Sequence, residues 1–165
     1  MKQSPEERFL SAYDEYGDAI FRFCYAQTGR RELALDLTQD TYARVWRHMA
    51  EGRSIHDMRP YLYTTARHAI IDHARRVQPQ SLDALHDEGF DIADDRAPDP
   101  LRVATVDHVI RVLQRLEPSY REVVTLRYVD DLMPREIAQL TGESENSISV
   151  RITRGVQKLK DLLNL

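Results

Sequence analysis

Pro134-Arg-Glu-Ile-Ala-Gln-Leu-Thr-Gly142, followed at once by Glu143-Ser144 and a second periodic segment reaching Leu163, decides how this chain is read. Proline at the start and glycine at the end bracket a short helix. Past the Glu143-Ser144 turn, Ile148, Ile152, Val156, Leu159 and Leu163 recur at spacings of three and four. That spacing is one apolar stripe on a second helix. Between the stripe residues stand Ser147, Ser149, Arg151, Arg154, Lys158 and Lys160, so the opposite face is polar and basic. Two helices joined by a tight turn, the second with a basic outer face, form a helix-turn-helix, which fits the major groove of DNA.

Working outward from this unit, helical periodicity dominates the chain. Ser4-Pro5-Glu6-Glu7 supplies a capping serine, a proline in the first turn and a glutamate three residues after the cap, the signature of a helix start. The helix that follows is expected to bury Phe9, Leu10, Tyr13, Tyr16, Ile20, Phe23 and Cys24 and to end near Gly29. A second helix is read over about 31–50, with Leu33, Leu37, Tyr42, Val45, Trp46 and Met49 inward. A third spans about 58–77, with Tyr61, Leu62, Ala66, Ile70 and Ala74 inward. Three amphipathic helices make a bundle over residues 1–77. Residues 78–100 break the pattern with prolines and an acidic run; they read as a linker, with a short helical turn at 82–85. Helices resume at about 101–116 and 119–129, separated by Glu117-Pro118. With the helix-turn-helix they form a C-terminal domain over 101–165. The expected fold class is all-α: an N-terminal bundle and a C-terminal helix-turn-helix domain joined by an acidic linker.

A net charge of −4 argues at first against a nucleic-acid partner. Its distribution removes the objection. Residues 1–77 and 108–165 each carry a net +1, while 78–107 carry −6, so the acidity sits around the linker. The single cysteine, Cys24, leaves no partner for an intramolecular disulfide and no cysteine zinc cluster. It reads as a buried thiol in a reducing cytoplasm. No signal core and no membrane span is visible. His68, Asp72 and His73 share a helix, but His73 points away from His68 and no third ligand is suggested, so no metal is expected. No nucleophile–base set or phosphate-binding glycine loop is present, so neither an enzyme nor a cofactor is expected.

Four stretches, taken in order, carry a family resemblance. Leu35-Asp-Leu-Thr-Gln-Asp-Thr-Tyr-Ala-Arg-Val-Trp46 resembles region 2.2 of the sigma-70 family of RNA polymerase sigma factors, in its small extracytoplasmic-function (ECF) group. Arg59-Pro-Tyr-Leu-Tyr-Thr-Thr-Ala-Arg-His-Ala-Ile-Ile-Asp-His-Ala-Arg-Arg76 resembles that family's promoter-melting stretch. Leu116-Glu-Pro-Ser-Tyr-Arg-Glu-Val-Val-Thr-Leu-Arg-Tyr128 resembles the start of region 4, and the segment from Ile137 to Leu163 resembles its helix-turn-helix.

The resemblance implies a factor that binds core RNA polymerase, directs it to particular promoters and helps open the −10 duplex. Asp36, Gln39 and Asp40, neighbours on one helix face, would dock on the clamp helices of the β′ subunit. The third helix would capture melted −10 bases: Tyr61, Tyr63 and His68 offer ring faces, and Arg59, Arg67, Arg75 and Arg76 offer charge for phosphates. In the recognition helix, Asn146, Ser147, Ser149 and Arg151 would meet −35 base edges, with Arg154 and Lys158 on phosphates. The C-terminal domain would touch the β flap, and the linker would thread the polymerase's basic RNA channel. Free of polymerase, such proteins can fold shut over their DNA surfaces, a state an anti-sigma factor can exploit. Several positions depart from the family pattern. His68 replaces a frequent asparagine, Ser149 a lysine, Glu143 an apolar turn residue and Met133 a capping serine; Gly155 interrupts the recognition helix, costing about 1 kcal/mol relative to alanine unless it permits a close helix crossing. The alternative reading is a stand-alone helix-turn-helix regulator, dimeric on a palindrome without polymerase.

Overall fold

The computed structural model describes the backbone of residues 3–77 and 100–165, with side chains for 3–77 and 105–165. The expected linker at 78–100 and its turn at 82–85 fall almost wholly outside the described residues; only Pro100, already in a helix, lies within them. Among the described residues there are seven helices and no strand: α1 (Pro5–Thr28), α2 (Arg31–Ala50), α3 (Met58–Val77), α4 (Pro100–Gln114), α5 (Pro118–Tyr128), α6 (Pro134–Thr141) and α7 (Glu145–Leu163). The all-α expectation holds, and the helix limits fall within a residue or two of those read from the sequence.

Local chemistry sets those limits. The Ser4 hydroxyl accepts from the Glu7 amide at 3.1 Å while the Glu7 carboxylate accepts from the Ser4 amide at 2.9 Å, a reciprocal capping box. Gly29 closes α1 in the left-handed region, φ 68°, donating to the Tyr25 carbonyl. Met133 lacks the hydroxyl of a capping serine, yet the Glu136 carboxylate accepts from its amide at 2.7 Å. Half of the capping box thus survives the departure.

Ile20, Phe23, Val45, Leu62, Ala66 and Ala69 form the dry centre of the α1–α3 bundle. Phe23 meets Tyr63 edge-on, with ring centroids 5.5 Å apart. Burying each large side chain contributes about 1.5–3 kcal/mol before conformational entropy is set against it. Cys24 is wholly buried, and burial pushes its thiol up to about 12. Leu10, Tyr13, Trp46 and Ala74 differ from expectation: the first three are 61%, 54% and 37% exposed, and Ala74, in the last turn of α3, is exposed too. Their periodicity is correct, but the apolar stripe of α1 is wider than α2 and α3 can cover. With Phe9, Tyr42 and Ala43, Leu10 and Trp46 line an open apolar groove. No helix among the described residues is long and apolar enough to cross a membrane.

Helices α5 to α7 share a second core of Val123, Leu126, Ile137, Ile148 and Ile152. Gly155 is buried at the α5–α7 crossing. A Cβ there would meet Val124 Cγ2 at 2.8 Å, so the glycine is what permits the close crossing. The α7 stripe ends on half-buried Leu162; Leu163 is exposed.

The two bundles are packed together. Helix α1 lies against α4 and α5, and α3 against α6. Arg121 holds the junction: its guanidinium donates to the carbonyls of Leu113 and Gln114 at the end of α4, of Leu116 just beyond it and of Gln27 in α1, at 2.7–3.2 Å. Carbonyls at helix ends have no partner within the helix, so one cation ties two helix termini across the bundles. Gln114 Nε2 adds a bond to the Ala26 carbonyl at 2.6 Å, and the Tyr25 hydroxyl donates to Asp107 at 3.2 Å.

Candidate polymerase and nucleic-acid interfaces

On α2, Asp36 and Gln39 are exposed. Asp40 is half-buried and pairs with Arg44 at 2.9 Å, one turn on. Arg44 in turn reaches Asp72 of α3 at 3.0 Å, and its guanidinium holds the Asp72 carboxyl below the usual range. The three residues expected to meet polymerase therefore share one face, next to the apolar groove around Trp46, and Asp40 pairs with the Arg44 that links α2 to α3.

The seven candidates on α3 fall on two faces. Tyr61, His68 and Arg75 recur at seven-residue spacing, with Arg76 alongside. His68, Arg75 and Arg76 are exposed, while Tyr61 is half-buried with its ring 5.0 Å from that of His48. Arg75 and Arg76 line a shallow depression with Arg44 and Asp72, a cationic rim open to a phosphate chain. Thr65 stands on the same face, its hydroxyl donating to the Tyr61 carbonyl at 2.7 Å.

Arg59, Tyr63 and Arg67 recur every four residues on another face, and the C-terminal bundle occupies all three. Arg59 donates to the Asp130 carbonyl at 2.8 Å and lies 3.7 Å from the Glu136 carboxylate. Arg67 Nε meets Glu122 Oε1 at 2.6 Å, a pair mostly shielded from water. Tyr63 is only 2% exposed. Its ring belongs to the core and cannot stack on a base in this arrangement, a correction to its expected role that follows from its position opposite Phe23. Its hydroxyl approaches Asp130, whose carboxylate oxygens are buried and make no well-formed hydrogen bond. Burial raises the Asp130 carboxyl to about 6, against the opposing pull of Tyr63, Arg22 and Arg59. Glu122, Asp130 and Glu136 were not singled out from sequence. Acidic residues on a helix surface give no signal of a partner far away in the chain.

In α7, Ser144 caps the helix by accepting from the Ser147 amide at 3.2 Å, and its hydroxyl also donates to the Ser147 hydroxyl. Asn146, Ser147 and Arg154 are exposed and border a polar concavity with Val150, Arg151 and Tyr120. Lys158 sits over the Tyr120 ring, 5.1 Å from its centroid, and 3.6 Å from Glu117. Ser149 lies on the other flank, away from that concavity. Arg151 is engaged by the turn: Nη1 and Nη2 meet Glu143 Oε1 and Oε2 at 2.8 and 2.5 Å. Among the described residues no cluster of histidine, cysteine or carboxylate could hold a metal.

A family model described as Sigma-70 region 2 matches residues 12–79, and one described as Sigma-70, region 4 matches 107–159. The ECF RNA polymerase sigma factor BldN of Streptomyces coelicolor is 29% identical over 95% of this chain, which spans 61% of that relative's length. The ECF RNA polymerase sigma factor SigM of Bacillus subtilis is 27% identical over 92% of this chain and 93% of its own. Among solved structures, the sigma factor RpoE of Bartonella quintana, in complex with the anti-sigma factor NepR, superposes with a TM-score of 0.76 over 96% of this chain and 98% of that one, at 20% identity. CnrH, in complex with the cytosolic domain of CnrY, gives a TM-score of 0.70 at 19% identity over 94% and 87% of the two chains. The region 2 match falls on the bundle with the acidic and cationic faces and the region 4 match on the helix-turn-helix: this chain belongs to the sigma-70 family of RNA polymerase sigma factors, in its ECF group.

Proposed function

We propose that the α2 face of Asp36, Gln39 and Asp40, with the groove beside it, docks on the clamp helices of the polymerase β′ subunit. The open face of α3 then captures the melted −10 strand. Tyr61 and His68 offer rings for stacking, worth about 1–3 kcal/mol per base, and Arg75 and Arg76 neutralise phosphates. Helix α7 enters the −35 major groove through Asn146, Ser147, Ser149, Arg151, Arg154 and Lys158, while the C-terminal domain touches the β flap. The chain performs no covalent step itself and acts in the cytoplasm, where polymerase and chromosome meet. The observation that carries this reading is one bundle presenting an acidic face on α2 and an exposed cationic face on α3, braced by Arg44 between Asp40 and Asp72.

The closed arrangement is the resting state. Arg59 and Arg67 join the DNA surface only after the C-terminal bundle moves away, and polymerase holding the two bundles apart supplies the opening; Tyr63 stays in the core against Phe23. An anti-sigma factor that holds them together would keep those groups covered. The test is sizing-column migration of the purified chain with bacterial core polymerase, followed by promoter opening. Stoichiometric co-elution and promoter-dependent opening are expected; a well-folded, inhibitor-free chain that failed to associate would overturn the reading.

A further inference from the structure

Glu143 stands in the turn before the recognition helix, and both of its oxygens are taken by the two terminal nitrogens of Arg151. The pair is part-shielded, with the side chains 33% and 26% exposed. A planar guanidinium reads guanine by presenting two N–H groups side by side to O6 and N7. Here Nη1 and Nη2 are already spent on a carboxylate of matching geometry. Of the neighbouring groups on the outer face of α7, Ser147 meets only the single hydroxyl of Ser144, while Asn146, Val150 and Arg154 are exposed and border the open concavity. Position 143 thus decides what Arg151 can do, although Glu143 is itself too short and of the wrong charge to approach the phosphates.

We propose that Glu143 is a specificity-determining residue for −35 recognition: it withholds the Arg151 fork from base edges, so that sequence is read by Asn146, Ser147, Val150 and Arg154. The inference rests on α7 being the −35 reader. Arg151 then acts by neutralising Glu143 at the protein–DNA boundary, without selecting a base.

The experiment uses holoenzyme assembled from the full chain and core polymerase, selected on duplexes randomised across the −35 and −10 elements. Four proteins are compared: wild type, Glu143→Ala, Arg151→Ala and the double variant. Glu143→Ala is expected to gain a guanine preference of about tenfold at one −35 position, and the double variant to lose it. Arg151→Ala alone is expected to weaken binding to all sequences alike, because it leaves the Glu143 charge unpaired, with the base profile unchanged within about twofold. The proposal is overturned if Glu143→Ala leaves the profile as it was, or if Arg151→Ala erases a preference the wild type has. A wild-type profile flat at −35 but selective at −10 would instead overturn the assignment of α7, and the proposal with it. The guanidinium-free Arg151→Lys variant separates charge from shape: it should restore general affinity without any new preference.

Discussion

The two sides of α3 carry similar chemistry and have different fates. Tyr61, His68, Arg75 and Arg76 face solvent or a shallow cationic depression, whereas Arg59, Tyr63 and Arg67 are tied to Asp130, Glu136 and Glu122 of the C-terminal bundle. An arginine on a helix is therefore not by itself a DNA contact. The same fork that would bind a phosphate binds a carboxylate when the fold brings one within reach. The difference also suggests an order of events: the α2 face and the open side of α3 are available at once, and the covered side only after the bundles part.

Four changes would break or sharpen that contrast. The largest effect is expected from Arg121→Ala, which strips the junction of its cation and leaves four carbonyls short of a partner. A loss of about 3 kcal/mol is expected, visible as a lower urea midpoint; a shift under about 0.5 kcal/mol would mean that water replaces the guanidinium without cost. Next, changing Arg75 and Arg76 together to alanine should reduce promoter opening roughly a hundredfold, about 2.7 kcal/mol, with the unfolding midpoint unmoved because both side chains are exposed. Unchanged opening would remove the open face of α3 from the −10 site.

Asp130 gives a pH-dependent version of the test. Its carboxyl is raised to about 6 by burial, so the folded chain binds a proton more readily than the unfolded one. The stabilisation is fullest below the ordinary aspartate range near pH 4 and is lost as pH rises through about 6. Asp130→Asn should remove that slope and stabilise the protein by about 2 kcal/mol at pH 8, with little change at pH 4. Equal effects at both ends would exclude titration of this group as the cause. Smallest is Glu122→Lys, which sets a like charge against Arg67 while leaving the α3 candidates in place. It should enlarge the radius of gyration measured by X-ray scattering and raise affinity for single-stranded −10 DNA about tenfold, ~1.4 kcal/mol. A compact variant with unchanged affinity would show that closure does not depend on this pair.

Much of this could be read without coordinates. The α1 capping box, the Gly29 and Gly142 stops, and the apolar spacing of α2, α3 and α7 use residues within a turn or two of each other, so local sequence carries them. The helical period even separates 59, 63 and 67 from 61, 68 and 75, although it does not say which set is covered. Less legible were Leu10, Tyr13 and Trp46. Periodicity gives the direction of an apolar side chain but not whether a neighbouring helix is there to bury it.

The sequence by itself determined seven amphipathic helices, their caps, the helix-turn-helix and the family, because each depends on short-range spacing and on residue types that stand next to one another. Tertiary structure alone decided which arginines are free. Arg67 and Glu122 are 55 residues apart and Arg59 and the Asp130 carbonyl 71 apart, and only packing of one bundle on the other brings such groups within hydrogen-bond reach. The same holds at closer range for Glu143 and Arg151: a turn and two helical turns separate them in sequence, and the geometry of that turn aims the carboxylate at the fork.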